Sequence, residues 1–195
     1  MALQDTQSRY GAVAMTLHWL IAVLIIFNIC LGYYMNDMPN NDPNHFAFVQ
    51  FHKSTGLTIL VLSVLRVMWR WINPFPPLPA TMPMWEKAAA RFVHGMFYFL
   101  IIAIPLAGWA MVSSSPLGLP TMYYGWFEWP QIHALADLPR DQKQHLIGTF
   151  RNTHNTLALL MACLIALHVL AALKHQFWDR DTVLKRMLPG RKGSE

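Results

Sequence analysis

An all-α integral membrane four-helix bundle is the fold class that this sequence predicts. Three observations predict it. Four long stretches are almost free of charge, hydrophobic residues make up 54% of the chain against 13% charged, and Lys and Arg gather in alternate loops. Soluble domains carry about 25% charged residues. A chain of 195 residues suffices for about four spans of roughly 20 residues with short connections.

The first helix is expected over about 12–35, around Leu20-Ile-Ala-Val-Leu-Ile-Ile-Phe27, and stops at the helix-poor run Asn36-Asp-Met-Pro-Asn-Asn-Asp-Pro43. The second is expected over about 46–72 and closes at Asn73-Pro-Phe-Pro-Pro77. A third covers about 90–112, before Ser113-Ser-Ser-Pro116. The fourth is the longest, about 141–177, with Pro139 ahead of Asp141, the expected N-cap. Between the last two lies an outer loop, 113–140, whose Tyr123-Tyr-Gly-Trp-Phe-Glu-Trp129 stretch reads as an interfacial cap. The whole of 1–195 reads as a single domain, without internal repeats or low-complexity tracts. The first apolar run reads as a retained anchor rather than a cleavable signal. Cys30 and Cys163 fall inside apolar segments and are expected to be buried thiols.

Orientation follows from the basic residues. With both termini inside, the inner side holds Arg9, Arg66, Arg70, Lys87, Arg91, Lys174, Arg180, Lys185, Arg186, Arg191 and Lys192. The outer side holds only Lys53, Arg140, Lys143 and Arg151. This positive-inside bias places both termini in the cytoplasm. The net charge of +5 sits beside apolar segments, so it reads as topology signal and lipid-headgroup contact, with no nucleic acid as partner.

Several of the nine His lie at membrane depth, where ionisable groups are costly and call for a reason. His154 and His168 share the last helix. Fourteen residues separate them by about 21 Å along the axis. At about 3.5 residues per turn that is four whole turns, so both rings project to one face. Matching partners by depth brings His18 to His168 on the inner side and His52 to His154 on the outer side. Bis-imidazole ligation suits haem iron. Zinc and copper sites usually add Cys or carboxylate, and the apolar parts of the predicted spans contain no Asp or Glu. There is no C-x-x-C-H, so the haem is not thioether-linked. Gly56, four residues after His52, is expected to clear bulk on the ligand face. His94 rivals His18 and His168 by depth alone, and its other reading is a helix-contact or quinone-site residue. His175 is expected to meet interface water, a haem propionate or a quinone head group. His45, His133 and His145 read as surface residues. The plainer reading of the membrane-depth His is polar glue between helices.

The segments Arg9-Tyr-Gly, His18-Trp, His52-Lys-Ser-Thr-Gly56, Leu65-Arg-Val-Met-Trp-Arg70 with Pro76-Pro77, His94-Gly95 and His168 to Lys174-His175-Gln-Phe-Trp178 occur in that order. Together with the tail Asp179-Arg-Asp-Thr-Val-Leu-Lys-Arg-Met187 they resemble the bacterial cytochrome b561 family over nearly the whole chain. The resemblance implies a four-helix, two-haem b cytochrome of the bacterial inner membrane. Its ligand pattern falls on His18, His52, His154 and His168, paired His18 with His168 and His52 with His154. One characterised member type oxidises superoxide at the outer face and reduces ubiquinone, and the resemblance suggests that activity here. The outer loop is where this chain is expected to depart most from the family.

The expected function is one-electron transfer through two haem b groups, from superoxide or another small anionic or redox donor outside to ubiquinone inside. Lys53 and Arg151 flank the outer ligands and are candidates for anion steering; their other reading is pairing with propionates or lipid phosphates. Arg70, His94, Lys174 and His175 gather toward the inner end as a candidate quinone site, with propionate or lipid contact as the other use of Arg70 and Lys174. No residue is assigned a catalytic role. Membrane lipid is an expected partner and a homodimer a candidate assembly. Two other classes remain open. One is a membrane-anchor cytochrome relaying electrons for a partner dehydrogenase or hydrogenase. The other is a metal or proton transporter using its His, against which the lack of intramembrane carboxylates argues.

Overall fold

The computed structural model describes residues 2–39, 41–73 and 76–188; Arg191 and Lys192 of the inner basic set lie outside the described residues. The chain forms α1 (Ala12–Asp37), α2 (His45–Ile72), α3 (Met84–Ser113), β1 (Thr121–Tyr123), β2 (Phe127–Trp129), the one-turn α4 (His133–Ala136) and α5 (Arg140–Phe177). The four long helices are each apolar and long enough to cross a membrane. At 1.5 Å per residue, α5 spans about 57 Å, well beyond a hydrocarbon core of about 30 Å. Its polar first turns therefore stand clear of the bilayer. Residues such as Val23, Ile26, Phe27, Leu159 and Leu167 point outward, the expected surface for lipid.

Several boundaries differ from the sequence expectation. α3 begins at Met84 rather than near 90, because the stretch Met84-Trp-Glu-Lys-Ala-Ala-Ala holds no breaker after Pro83. Pro139 is the N-cap of α5 and Asp141 lies inside the first turn without a side-chain cap bond. There its charge favours the helix N-terminus through the dipole instead. Cys30 and Cys163 are exposed on the outer surface of the bundle rather than buried. The helical period explains this: Asn28 and Leu31 on α1, and Met161 and Leu164 on α5, take the inward face, and the thiols fall off it.

Neighbours in sequence pack as neighbours in space: α1 on α2, α2 on α3 and α3 on α5, whereas α5 touches α1 only sparsely. The core lies between Leu100 and Ile101 of α3 and Met161 and Leu164 of α5. α5 is thus held along one flank, and its opposite face looks across a gap toward α1 and α2. That gap is where the membrane-depth His meet.

Both described ends lie at one end of the bundle. The Arg9 guanidinium donates to the Leu188 carbonyl, Trp19 Nε1 to the Met187 carbonyl at 2.8 Å, and Arg186 to the Pro77 carbonyl at 2.6 Å. The far end carries the departure from the simple loop expected. β1 and β2 pair antiparallel, Thr121 opposite Trp129 and Tyr123 opposite Phe127. Trp126 N–H donates to the Tyr123 carbonyl at 2.9 Å, with φ of 47° at Tyr124 and 80° at Gly125, the left-handed pattern of a type I′ turn. The hairpin docks on a polar stripe of α2. Ser54 Oγ shares its one proton between the Gln50 carbonyl of its own helix at 2.9 Å and the Met122 carbonyl at 3.1 Å, and accepts from Tyr124 N–H at 3.0 Å. Gln50 Nε2 donates to the Pro120 carbonyl at 2.9 Å.

Candidate cofactor sites

His52 of α2 and His154 of α5 meet near the outer end, ring centres 6.1 Å apart and planes inclined by 75°. His154 Nδ1 lies 3.0 Å from the Ile104 carbonyl of α3. A carbonyl only accepts, so Nδ1 carries the proton and Nε2 keeps its lone pair. Gly108, one turn beyond Ile104, makes that approach feasible: a Cβ there would stand 3.2 Å from the ring. The same arrangement recurs across the gap. A Cβ on Gly32 of α1 would stand 3.2 Å from His52 Cε1, and Asn28, one turn earlier, turns its backbone toward His52. That contact stops short of a hydrogen bond, since His52 Nδ1 is buried without a partner. Gly56 faces the Asn28 side chain at 3.6 Å and no imidazole within 4 Å. The glycines that clear space for imidazole are Gly32 and Gly108.

At the inner end His18 of α1 and His168 of α5 lie with ring centres 6.4 Å apart and planes inclined by 72°. His94 of α3 stands 5.7 Å from His168, at 90°, its Nδ1 donating to its own helix at Ala90 O (2.6 Å). Phe97 closes the other side of the His168 ring at 5.3 Å. The Arg66 guanidinium reaches His18 Nδ1 and the Ala14 carbonyl, both at 3.3 Å.

Both pairs have the spacing of imidazoles facing each other across one metal ion. An imidazole nitrogen binds a metal at about 2 Å, and the ring centre lies a little over 1 Å behind it. Two opposed rings therefore stand about 6 Å apart. The protonated Nδ1 of His154 on a carbonyl is the usual outer partner of a metal-ligating His. A donor set of two neutral imidazoles suits haem iron.

Other residues singled out by the sequence separate into groups. Lys53 is half-buried and donates to the Pro120 carbonyl at 3.3 Å, while Arg151 is exposed on α5. Arg70 lies within electrostatic reach of Tyr10 and His94. Lys174 and His175 belong instead to an ionic cluster with Glu86, Asp179 and Asp181. Glu86, His175 and Asp179 offer ligand atoms within 4.8 Å of one another, but the Lys174 ammonium already occupies that centre. Sequence reading missed Arg66, Gly32, Gly108 and Ile104 as site residues. Arg66 had a signal, being a cation among the apolar residues of α2; the others depend on which helix packs where.

The profile of the prokaryotic cytochrome b561 family matches residues 9–190. The chain belongs to that family. Cytochrome b561 homolog 2 of Escherichia coli is 35% identical over 196 residues, covering 100% of this chain and 98% of the relative. Cytochrome b561 homolog 1 of the same organism is 26% identical, covering 95% of this chain and 99% of the relative. A probable superoxide oxidase, CybB, of Yersinia pestis is 27% identical, covering 95% of this chain and 98% of the relative. As a member of the cytochrome b561 family, the chain is a multi-pass protein of the bacterial inner membrane that binds b-type haem and transfers electrons, an oxidoreductase in the broad sense.

Proposed function

We propose that His52 with His154, and His18 with His168, would each hold one b-type haem, which would supply one-electron chemistry between an outer donor and ubiquinone at the inner end. The observation that carries this reading is the pair of imidazole couples, 6.1 and 6.4 Å between ring centres, built on two positions of one helix. Haem iron supplies the one-electron redox step. The protein's own residues supply the rest. His154 is oriented by the Ile104 carbonyl, Gly32 and Gly108 admit the rings, and Arg66 offers a guanidinium to a propionate. His94, with its ring centre 5.7 Å from that of His168, is the rival to His18 in this pairing, and the variants below separate the two.

Superoxide is the favoured donor. It is supported by the relative named as a probable superoxide oxidase and by exposed Arg151 three residues before His154. Pyridine haemochrome analysis tests the ligand assignment. Wild type is expected to hold two haems per chain, and His52→Ala or His154→Ala to lose the outer one. His18→Ala or His168→Ala should lose the inner one. Retention of both haems in His18→Ala together with loss in His94→Ala would overturn the inner pairing. Superoxide-driven ubiquinone reduction by purified protein tests donor and acceptor, and an idle preparation would refute both.

A further inference from the structure

The ionic cluster at the inner end of α5 is a chain rather than a knot. Lys174 Nζ donates to Glu86 Oε1 at 3.0 Å and to Asp179 Oδ2 at 2.7 Å. The same Asp179 oxygen lies 3.2 Å from His175 Nδ1, which lies 2.7 Å from Asp181 Oδ2. Four consecutive contacts thus run from α3 through α5 into the segment that follows it. Charged neighbours turn elsewhere: Lys87 donates to the Ala80 carbonyl at 3.1 Å, and Arg186 to Pro77 and Thr182.

One end of this relay reaches an exposed apolar face of α5. Leu170, Leu173, Phe177 and Trp178 line a shallow, open-sided groove of about 400 Å³ whose polar lining residue is Lys174. Among the described residues, two of the three N–H donors of the Lys174 ammonium are engaged. The side chain is 45% exposed, so a donor remains for the groove. Three carboxylates against one ammonium leave the cluster negative, which repels a phosphate headgroup but not a neutral carbonyl. The groove thus suits an apolar molecule with an uncharged acceptor. It begins two residues after His168, about 3 Å along the helix axis.

We propose that Lys174, Asp179, His175 and Asp181 form a proton path from the inner aqueous phase to a quinone lying in this groove. This rests on the reading of ubiquinone as acceptor. Conversion to quinol takes two electrons and two protons, each C=O becoming C–O–H. Electrons come from the family's haem-dependent transfer, and the protons must come from water on the inner side. Lys174 donates one proton to the quinone oxygen it meets as that oxygen gains charge, and the other carbonyl takes its proton from water at the open side of the groove. Asp179 takes the proton of His175 Nδ1 and passes it to Lys174, and Asp181, which contacts the same nitrogen, brings the replacement proton from inner-side water.

The test uses haem-loaded protein in nanodiscs, chemically reduced and mixed rapidly with a short-chain ubiquinone or with ferricyanide, which takes an electron without a proton. Asp179→Asn and Asp181→Asn are expected to slow reoxidation by quinone about tenfold or more, with an enlarged solvent isotope effect. Ferricyanide reoxidation serves as the reference for electron release and should match wild type. Asp181→Glu should recover most of the quinone rate. Quinone should also quench Trp178 fluorescence, judged against Trp178→Phe. Quinone rates unchanged in both Asn variants overturn the path, and absent Trp178 quenching, as with a lipid-filled groove, overturns its end point. Wild type that reduces ferricyanide but not quinone removes the acceptor reading itself, and the path with it.

Discussion

The His154 ring fills the space that a side chain at Gly108 would need: a Cβ there would lie 3.2 Å from both Cε1 and Nδ1 of the imidazole. Such contacts are tighter than ordinary packing, so the ring must yield by a few tenths of an ångström. It can yield only by loosening its 3.0 Å bond to the Ile104 carbonyl. Gly108→Ala is therefore expected to weaken retention of the outer haem about tenfold, the low end for loss of an orienting partner. The inner haem should be untouched. Haem release followed by transfer to an apo-globin measures both in one experiment.

Gly32 stands in the same relation to His52, and the comparison separates two causes. His52 Nδ1 has no hydrogen bond to lose, so Gly32→Ala acts by crowding alone. A smaller effect than Gly108→Ala is expected, seen as shifted low-spin ferric signals in electron paramagnetic resonance rather than haem loss. Equal haem loss in both variants would show that the Ile104 bond contributes little.

Much of this arrangement was legible in the sequence, and the reasons are physical. That His154 and His168 share one face of a helix is readable fourteen residues apart because helical periodicity is local. Lys and Arg placement gives the side of each loop, which then fixes relative depth for His18 and His52. Which glycine touches which ring is not local. Gly56, in sequence the obvious candidate beside His52, faces Asn28, while Gly32 on another helix meets the imidazole. The outer loop was legible only as interfacial aromatics. Its hairpin register is set by Gln50 and Ser54, residues about seventy positions away.

Ser54 is fully buried, and its hydroxyl serves both the Met122 carbonyl and the Tyr124 N–H. Tyr124 holds a left-handed φ, which costs about 1–2 kcal/mol for a residue with a Cβ. Removing the hydroxyl takes the acceptor from Tyr124 N–H and a shared donor from the Met122 carbonyl, worth about 1–3 kcal/mol. Ser54→Ala should thus raise amide exchange across 121–129 by about tenfold or more, while the helices keep wild-type protection. Unchanged exchange in the hairpin would mean that Gln50 alone latches it.

Arg151 offers the cleaner test of anion attraction, since Lys53 is engaged with the Pro120 carbonyl and its reversal would also disturb the loop. Exposed charge acts over about 10 Å at 0.1 M salt. Arg151→Glu should slow superoxide consumption several-fold at low ionic strength, with the difference vanishing at high salt. A deficit that persists at every salt concentration would point to damage at His154 instead of lost steering.

Arg66 makes the strongest electrostatic case. Its guanidinium lies 3.3 Å from His18 Nδ1, on the inner half of α2, among groups that offer little screening. A cation beside the inner iron site disfavours the ferric state, which carries the extra positive charge. Its removal must therefore lower the reduction potential. A unit charge about 8–10 Å from the iron, at an effective dielectric of about 20, is worth about 2 kcal/mol or several tens of millivolts. Arg66→Gln is expected to shift the inner haem down by that amount in a spectroelectrochemical titration, with the outer haem held as internal reference. A rise in potential, or an equal shift at both haems, would show that Arg66 does not face the inner site.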